Sequence, residues 1–340
     1  MKRIGLMGCG TVAHYGHIPT ILKTPGLELV ALFDPDPERL AAAQEKFRIE
    51  GGFTDVDAFL ASELDAVTIT SPAPCHILNV LDAVRHGKHM LCEKPLGMDV
   101  DECEEMARLA GGAGLMLFTG FDYRFSPASL KIRELVRAGA IGSVRSLRLV
   151  YIWNLHGKYQ RDGVGGQILN ERRVGRMLEG GPMVDCGVHQ IDLARFWLDG
   201  EVCSWQAAGA WVDDFEAPDH MYLHMDHENG AHTMVEISYS YCHTAKEPIK
   251  RFVYELIGTE GVIRYDRGAK LFEMRTGEGT TPLPFSNEKN FGGMYEAFAE
   301  ALHTGVSDTL PTAQDGLVAA RISRGATDCL IAKHRKGGSS

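Results

Sequence analysis

The sequence predicts an α/β protein in which a doubly wound parallel sheet is followed by an α/β region with an open, mostly antiparallel sheet. In the N-terminal part, short apolar runs alternate with helical segments of about 10–15 residues, which is typical of parallel strands joined by helical crossovers. In the C-terminal half, apolar runs flank turn pairs such as Asn229-Gly230, which are typical of β-hairpins. A chain of 340 residues is longer than one hydrophobic core usually allows, so we expect two domains, over residues 1–121 and 122–340.

Composition excludes several classes of function. The formal net charge of -10 argues against a nucleic-acid partner, because phosphate binding needs a basic face. No apolar run is long enough to cross a membrane, so we expect a cytoplasmic protein. The eight cysteines form no C-x-x-C pair and are predicted to be reduced thiols. Four strand histidines lack matching carboxylates and are expected at the surface, so no metal site is predicted; they are His220, His224, His227 and His232.

The first strand, predicted over Lys2–Met7, ends in a glycine-rich turn. The turn reads Gly8-Cys9-Gly10-Thr11-Val12-Ala13 and opens a helix, which is the G-x-G-x-x-A pattern. Gly8 permits a tight turn, Gly10 lets the backbone approach a pyrophosphate, and Ala13 keeps the helix close to the strand. Together with the free N–H groups of the helix start, Gly8, Gly10, Thr11, Val12 and Ala13 predict a dinucleotide site.

Asp34 ends the second predicted strand, Leu27–Phe33. A carboxylate at this place hydrogen-bonds the adenosine ribose and repels a 2′-phosphate, which favours NAD over NADP. Asp34 would otherwise only cap the next helix, but Asp36 is better placed for that role. Arg39 is a further cofactor candidate that would accept the phosphate of NADP.

The turn after the next strand is a further part of the predicted cofactor site. Ser71 and Pro72 follow the strand over Ala66–Thr70, where a cofactor would lie. His76 is either a cofactor contact or a helix-start residue. Further helices are predicted at 77–86, 101–110 and 127–138, and further strands at 115–120 and 144–153.

The segment His89–Gly97 contains Lys94, a candidate catalytic lysine. A short apolar strand ends in Glu93-Lys94-Pro95, and Pro95 stops the ladder because it has no N–H to donate. Lys94 therefore stands at the carboxyl end of a parallel strand, where open α/β sheets bind their ligands.

The second set of candidate groups lies on a helix after a glycine- and arginine-rich loop, 154–176. Asp185, His189 and Asp192 follow each other at i, i+4 and i+7 beside an apolar stripe. A carboxylate one turn from a histidine orients the ring and raises its basicity, as general acid–base catalysis requires. A structural Asp–His pair at a helix start is the alternative.

These motifs occur in an order that resembles the glucose–fructose oxidoreductase, inositol dehydrogenase and MocA (Gfo/Idh/MocA) family. The resemblance rests on the glycine turn, Asp34, the Glu93–Pro95 triplet, Tyr123-Arg124-Phe125 and the segment Gly180–Leu193. It implies an N-terminal Rossmann domain, a C-terminal domain whose open sheet forms a homodimer or homotetramer interface, and NAD(P)-dependent redox chemistry on sugars or cyclitols. The final helices are expected to pack back on the first domain.

The same resemblance implies that Lys94, Asp185 and His189 are the catalytic residues. His189 would accept the proton of a secondary alcohol, Asp185 would stabilise the imidazolium, and Lys94 would hydrogen-bond the substrate oxygen; the roles of Lys94 and His189 are exchangeable. Glu93 and Lys94 would also contact the cofactor. The candidate substrate contacts are Lys94, Tyr123, Arg124, Trp153, His156, Asn170, Asp185 and His189.

Three other functions suit the same residues. An NAD-dependent glycosidase oxidises the sugar transiently, eliminates the aglycone and returns the hydride. A dinucleotide-binding sensor would have no activity, and the intact set of Lys94, Asp185 and His189 argues against it. An imine or enone reductase would use the same scaffold.

Overall fold

The computed structural model describes residues 1–154, 157–162, 164, 166–287 and 289–337. The chain forms two units: unit 1 comprises Met1–Phe125 and Lys289–Ala320, and unit 2 comprises Ser126–Glu288 and Arg321–Ser340.

Unit 1 contains a six-stranded parallel sheet with the strand order β3-β2-β1-β4-β5-β6. The order reverses beside β1, and such a switch point is where doubly wound sheets bind their ligands. The strands are β1 (Lys2–Met7), β2 (Leu27–Phe33), β3 (Gly51–Phe53), β4 (Ala66–Ile69), β5 (His89–Cys92) and β6 (Leu117–Thr119).

Helices cover both faces of this sheet, as the alternating sequence pattern predicts. Five helices lie between the strands of this sheet: α1 (Ile18–Ile21), α2 (Pro37–Phe47), α3 (Val56–Leu60), α4 (His76–Arg85) and α5 (Val100–Gly112). Two more, which come late in the chain, are designated α9 (Phe291–Thr304) and α10 (Ala313–Gly337). One buried cluster joins the sheet to α1, α2 and α9, and a second joins it to α3, α4, α5 and the start of α10.

Asp36 caps α2, in agreement with the role that the sequence suggests for it. Its carboxylate accepts hydrogen bonds from the N–H groups of Glu38 (3.0 Å) and Arg39 (3.3 Å). Pro37 then occupies the first helical position, where its missing N–H costs nothing. Asp34 is therefore not needed as the cap of this helix.

Unit 2 contains a mixed, mostly antiparallel sheet of eight strands with the order β10-β11-β12-β7-β13-β14-β15-β16. Only the β12–β7 pair is parallel. The strands are β7 (Val144–Ile152), β10 (Val202–Ala210), β11 (His220–His227), β12 (His232–Ser238), β13 (Arg251–Gly258), β14 (Gly261–Asp266), β15 (Leu271–Thr276) and β16 (Gly279–Pro282).

The register of this sheet explains where its core lies. Leu223, Val235, Leu149 and Tyr254 stand opposite one another on four adjacent strands, and all four are buried. The helices of unit 2 are α6 (Pro127–Arg137), α7 (Glu171–Leu178) and α8 (Val188–Leu198). All residues of α8 are buried, which is typical of a helix enclosed within a core.

The segment 154–176, which the sequence predicts as a loop, contains regular structure. Strands β8 (Tyr159–Arg161) and β9 (Gln167–Leu169) pair as a short antiparallel ribbon, and α7 begins directly after it. The Asn170 side chain caps α7 by accepting the N–H of Arg173 at 3.1 Å. The two strands span three residues each and α7 spans eight, so these elements are too short for hydrophobic periodicity to reveal them.

The cap of α2 yields a stability prediction. Asp36→Ala removes the acceptor of two N–H groups and is expected to lower the free energy of unfolding by about 1 kcal/mol. Asp36→Asn keeps the cap and loses only the exposed ion pair with Arg39, so it is expected to unfold like the parent chain. Urea denaturation followed by circular dichroism measures both; equal losses would mean that the cap contributes nothing.

Candidate active site

The glycine turn after β1 has the geometry of a close backbone approach. Gly8 has a φ of +98°, and its N–H donates to the Phe33 carbonyl oxygen at 2.7 Å. A Cβ at Gly8 would lie 2.6 Å from the Ser71 nitrogen, so a side chain there would collide with the turn that follows β4. A Cβ at Gly10 would meet no atom within 4 Å among the described residues, so Gly10 faces open space. A π-helical turn, Ala13–His17, follows.

Asp34 is buried directly beside this turn. Its Oδ2 accepts the N–H of Cys9 at 2.8 Å, and its Oδ1 accepts the N–H of Asp36 at 2.9 Å. A carboxylate has about four lone-pair sites, so both oxygens keep acceptor capacity for ribose hydroxyls. The open face of Gly10 and this fixed carboxylate therefore fit a dinucleotide. Arg39 is exposed and pairs with Asp36 at 3.1 Å.

His76 joins two turns at the carboxyl edge of the sheet. Its Nδ1 lies 2.9 Å from the Pro95 carbonyl oxygen, and its Nε2 lies 3.0 Å from that of Ser71. Burial lowers the pKa of His76, so the ring is neutral near pH 7. The Ser71 hydroxyl donates to Asn79 Oδ1 at 2.6 Å, and Pro72 precedes the short 3₁₀ turn Ala73–Cys75. His76 thus ties the Ser71-Pro72 turn to the segment that carries Lys94.

Glu93 is held by a buried histidine. His17 Nε2 lies 2.9 Å from Glu93 Oε1, and Glu93 Oε2 accepts the N–H of Lys94 at 3.2 Å. His17 Nδ1 lies 2.7 Å from the hydroxyl of Tyr295, and His17 itself is fully buried. The backbone of half-buried Lys94 is therefore positioned by contacts that join the π-helical turn Ala13–His17, the end of β5 and α9.

Tyr123 and Arg124 lie on a 3₁₀ turn, Asp122–Phe125, after β6. Both side chains are buried, and Arg124 pairs with Asp315 at 3.2 Å. In unit 1 the guanidinium of Arg124 therefore has an internal ion-pair partner.

Asp185 and His189 lie at the start of α8, and both are buried. Asp185 belongs to a second π-helical turn, Met183–Gly187, a feature that often occurs at functional sites. The Tyr239 hydroxyl donates to Asp185 Oδ2 at 2.5 Å, and Arg176 Nε lies 3.8 Å from the same oxygen. Burial, together with the charge of Asp185, raises the pKa of Tyr239, so its hydroxyl stays protonated and remains a donor.

A second polar network holds the backbone of Tyr239. The Arg173 guanidinium donates to the Tyr239 carbonyl oxygen at 2.5 Å and to Asp213 Oδ2 at 2.9 Å. Although burial opposes its ionisation, hydrogen bonds from Lys158 and His243 hold the pKa of Asp213 below its ordinary value. The ion pair between Arg173 and Asp213 is almost completely buried, so losing either partner would leave an uncompensated charge.

The remaining predicted substrate contacts lie in or next to segment 154–176. Trp153 is half-buried and packs edge-on against Tyr239, with 6.3 Å between ring centroids. The Asn170 side chain serves as the cap of α7. His156 lies outside the described residues.

Sequence reasoning missed the residues that hold the candidate groups. His17, Tyr295 and Tyr239 are far along the chain from the groups they contact, and none belongs to a short motif. Asp122 was missed as well, although its place after a predicted strand and directly before the Tyr123-Arg124-Phe125 triplet is a signal that could have found it.

Two features are absent from the described part of the chain. No group of three or more His, Cys, Asp or Glu residues in that part of the protein has an arrangement that would hold a metal ion. No described helix has both the length and the apolar character needed to cross a membrane.

Both halves of the chain match known protein families. Residues 2–121 match the model of an oxidoreductase family with an NAD-binding Rossmann fold, and residues 129–264 match the GFO/IDH/MocA C-terminal domain. Among solved structures, an oxidoreductase from Agrobacterium radiobacter in complex with NAD+, L-tartaric acid and magnesium superposes with a TM-score of 0.81. That match covers 97% of this chain and 96% of the other at 22% identity, and it shows the shared fold.

Curated relatives include dehydrogenases of sugars and cyclitols. D-apiose dehydrogenase of Paraburkholderia graminis is 31% identical over 277 residues, which is 81% of this chain and 70% of that enzyme. Inositol 2-dehydrogenase 3 of Saccharopolyspora erythraea is 25% identical over 338 residues, covering 96% of this chain and 93% of that enzyme. With its glycine turn, its parallel and open sheets and both family domains, the chain belongs to the Gfo/Idh/MocA family of NAD-binding oxidoreductases.

Proposed function

We propose that this protein is an NAD-dependent dehydrogenase that oxidises a secondary alcohol of a sugar, glycoside or cyclitol. The observation that carries the proposal is the buried, tyrosine-supported Asp185 with His189 at the start of α8, in a chain whose unit 1 fits a dinucleotide. Membership of an oxidoreductase family and the sugar and cyclitol dehydrogenases among its relatives support the substrate class.

Unit 1 supplies the cofactor contacts in this proposal. Gly8, Gly10, Thr11, Val12 and Ala13 would hold the pyrophosphate, and Asp34 would accept the ribose hydroxyls. Asp34 would reject a 2′-phosphate by charge repulsion, which makes NAD the preferred cofactor. The further cofactor contacts that we propose are Arg39, Ser71, Pro72, His76, Glu93 and Lys94. When bound, the nicotinamide accepts the hydride, and the protein supplies position and electrostatics.

The proton chemistry belongs to three side chains in the proposal. His189 accepts the hydroxyl proton, and the Asp185 carboxylate one turn earlier stabilises the resulting imidazolium. Because Tyr239 holds one oxygen of Asp185, that carboxylate is oriented before substrate binds. Lys94 donates a hydrogen bond to the reacting oxygen. Tyr123, Arg124, Trp153, His156 and Asn170 are the further substrate contacts that we propose.

We also propose a cytoplasmic homodimer or homotetramer that assembles through the sheet of unit 2. The register places Tyr222 on the same face as Val150 and Val253, and places Ile257 on that face four residues further along β13. Tyr222 and Ile257 are exposed in the single chain, and apolar side chains of this kind favour burial against a second subunit.

The catalytic assignment predicts a large loss of turnover in two single variants. Lys94→Ala and His189→Ala are each expected to lower kcat on the true substrate about 100-fold or more, because each removes a group that acts on the reacting oxygen. NADH formation with a panel of sugars, cyclitols and glycosides identifies the substrate and measures the loss.

NADH binding, measured by fluorescence titration, is the control and should survive in both variants. Near-normal turnover in both would refute the assignment. Release of a glycoside's leaving group without net NADH would instead identify the glycosidase reaction.

Asp34 is expected to control cofactor choice. Asp34→Ala should reduce the preference for NAD over NADP, measured as the ratio of kcat/KM values, by about tenfold or more, because the repulsive carboxylate is gone. Asp101→Ala is the matched control, since it removes an exposed carboxylate of α5 that has no proposed role at the cofactor. An unchanged ratio in Asp34→Ala would count against the assigned role.

Tyr239 is expected to act through Asp185. Tyr239→Phe removes one hydrogen bond to a charged group, which should lower kcat about tenfold and leave KM for NAD unchanged. Without this donor the Asp185 carboxylate stabilises a protonated His189 more strongly, so the acid limb of the pH–rate profile should move to higher pH. Tyr241→Phe, at an exposed tyrosine two residues further along the chain, is the control; identical pH profiles for the parent enzyme and Tyr239→Phe would rule out this role.

A further inference from the structure

Two neighbouring strands of unit 1 bring charged side chains to the same edge of the sheet. β5 and β6 pair in parallel, with Cys92 opposite Thr119, and the N–H of Gly120 donates to the Cys92 carbonyl oxygen at 2.7 Å. A Cβ at Gly120 would lie 3.2 Å from the Cα of Glu93. The segment that carries Lys94 and the segment that leads to Asp122 therefore leave the sheet in close contact.

Asp122 is a buried carboxyl group with an unused oxygen. It is 3% exposed, and its Oδ2 has no hydrogen-bond partner among the described residues. Burying a carboxylate without partners is unfavourable, so nearby charges determine whether this group is ionised.

Three charged side chains from two segments act on Asp122. Glu93 and Lys94 follow β5, and Lys289 precedes α9, where its Nζ lies 3.3 Å from the Tyr15 hydroxyl. Burial raises the pKa of Asp122 to about 7 and Glu93 adds to that increase, while Lys289 and Lys94 act in the opposite direction. Three further titratable or charged groups lie on these elements: His17 pairs with Glu93 and Tyr295, Arg124 pairs with Asp315, and burial raises the pKa of the Cys92 thiol, which keeps it neutral.

We propose that Asp122 is a positioning residue that holds Lys94 in its ammonium form, so that Lys94 donates a hydrogen bond to the reacting oxygen and leaves the proton to His189. The inference rests on the proposed function, because it concerns the role of Lys94 in that reaction. It selects between the two roles of Lys94 that the sequence leaves open.

The charge balance of the group explains the effect. With Asp122 ionised, two carboxylates, Glu93 and Asp122, face two ammonium groups, Lys94 and Lys289, and the cluster is neutral. Removing the charge of Asp122 leaves two cations against one anion, and Lys94 then gives up its proton more easily. Removing the charge of Lys289 has the opposite effect on Lys94, because the two lysines repel each other.

Competitive labelling tests this without requiring turnover. The rate at which acetic anhydride acetylates Lys94, read from its peptide by mass spectrometry across pH 6–11, follows the neutral amine and yields the midpoint pH of Lys94. In the parent protein we expect a midpoint above about 9. Asp122→Asn should lower it by about 1–2 pH units, in the range known for a lost counter-charge.

Lys289→Met is the variant of opposite sign and should raise the midpoint. Asp101→Asn, which removes an exposed carboxylate of α5, is the matched control and should leave it unchanged. A misfolded Asp122→Asn variant would be recognised by circular dichroism, and the Lys289→Met shift then decides the question. Equal midpoints in the parent, Asp122→Asn and Lys289→Met, or a parent midpoint below about 7.5, would overturn the proposal.

The pH dependence of turnover tests whether the titration of Lys94 affects the reaction. If Lys94 is a donor, Asp122→Asn should move the alkaline limb of kcat to lower pH, so that activity is lost near pH 9. A gain of activity near pH 7 in Asp122→Asn would show that Lys94 acts as a base and would overturn the assigned role. If no sugar or cyclitol is oxidised at all, the proposed function fails, while the labelling midpoints still decide the effect of Asp122 on Lys94.

Discussion

The contact between His17 and Glu93 is the constraint on which the geometry of unit 1 depends. Glu93 holds the Lys94 backbone with one oxygen and His17 with the other, and His17 continues to Tyr295. These contacts join the helix after the glycine turn, the end of β5 and α9. The lysine thus takes its place from the same helix that would carry the pyrophosphate, which links cofactor binding to the position of the reacting group.

Unit 2 uses a comparable device with different residues. Asp185 is fixed by the Tyr239 hydroxyl, and the Tyr239 backbone is fixed in turn by Arg173, which pairs with buried Asp213. Groups preorganised in this way do not have to reorient as charge develops, and such electrostatic stabilisation is usually the largest single contribution to enzymatic rate enhancement. Both units therefore use internal buried polar contacts to position a small number of candidate reactive side chains.

Asp122 differs from these groups because its Oδ2 has no hydrogen-bond partner among the residues that the structure describes. Buried polar atoms almost always have partners, so an exception near a candidate active site is informative. The cost of burying this carboxyl is reduced by two lysines, and one of them is the residue that the sequence marks as catalytic. Its neighbours, Tyr123 and Arg124, are buried as well, and Arg124 pairs with Asp315.

The amino-acid sequence by itself determined the class of fold, the glycine turn, Asp34 and the positions of Lys94, Asp185 and His189 along the chain. These features are readable because they depend on local rules: hydrophobic period, turn chemistry and the spacing of residues within one strand or helix. Segment 154–176 is not readable in this way, because the strands of its ribbon span three residues each and α7 spans only eight, which is too short for a clear hydrophobic period.

Only the tertiary structure decided which residues support the candidate groups. His17 meets Glu93 across 76 residues of chain, and Tyr239 meets Asp185 across 54. No local pattern encodes such pairs, since they arise only when strand order and register bring distant segments together. The ionisation of Asp122 has the same origin, because burial and neighbouring charges exist only in the folded chain.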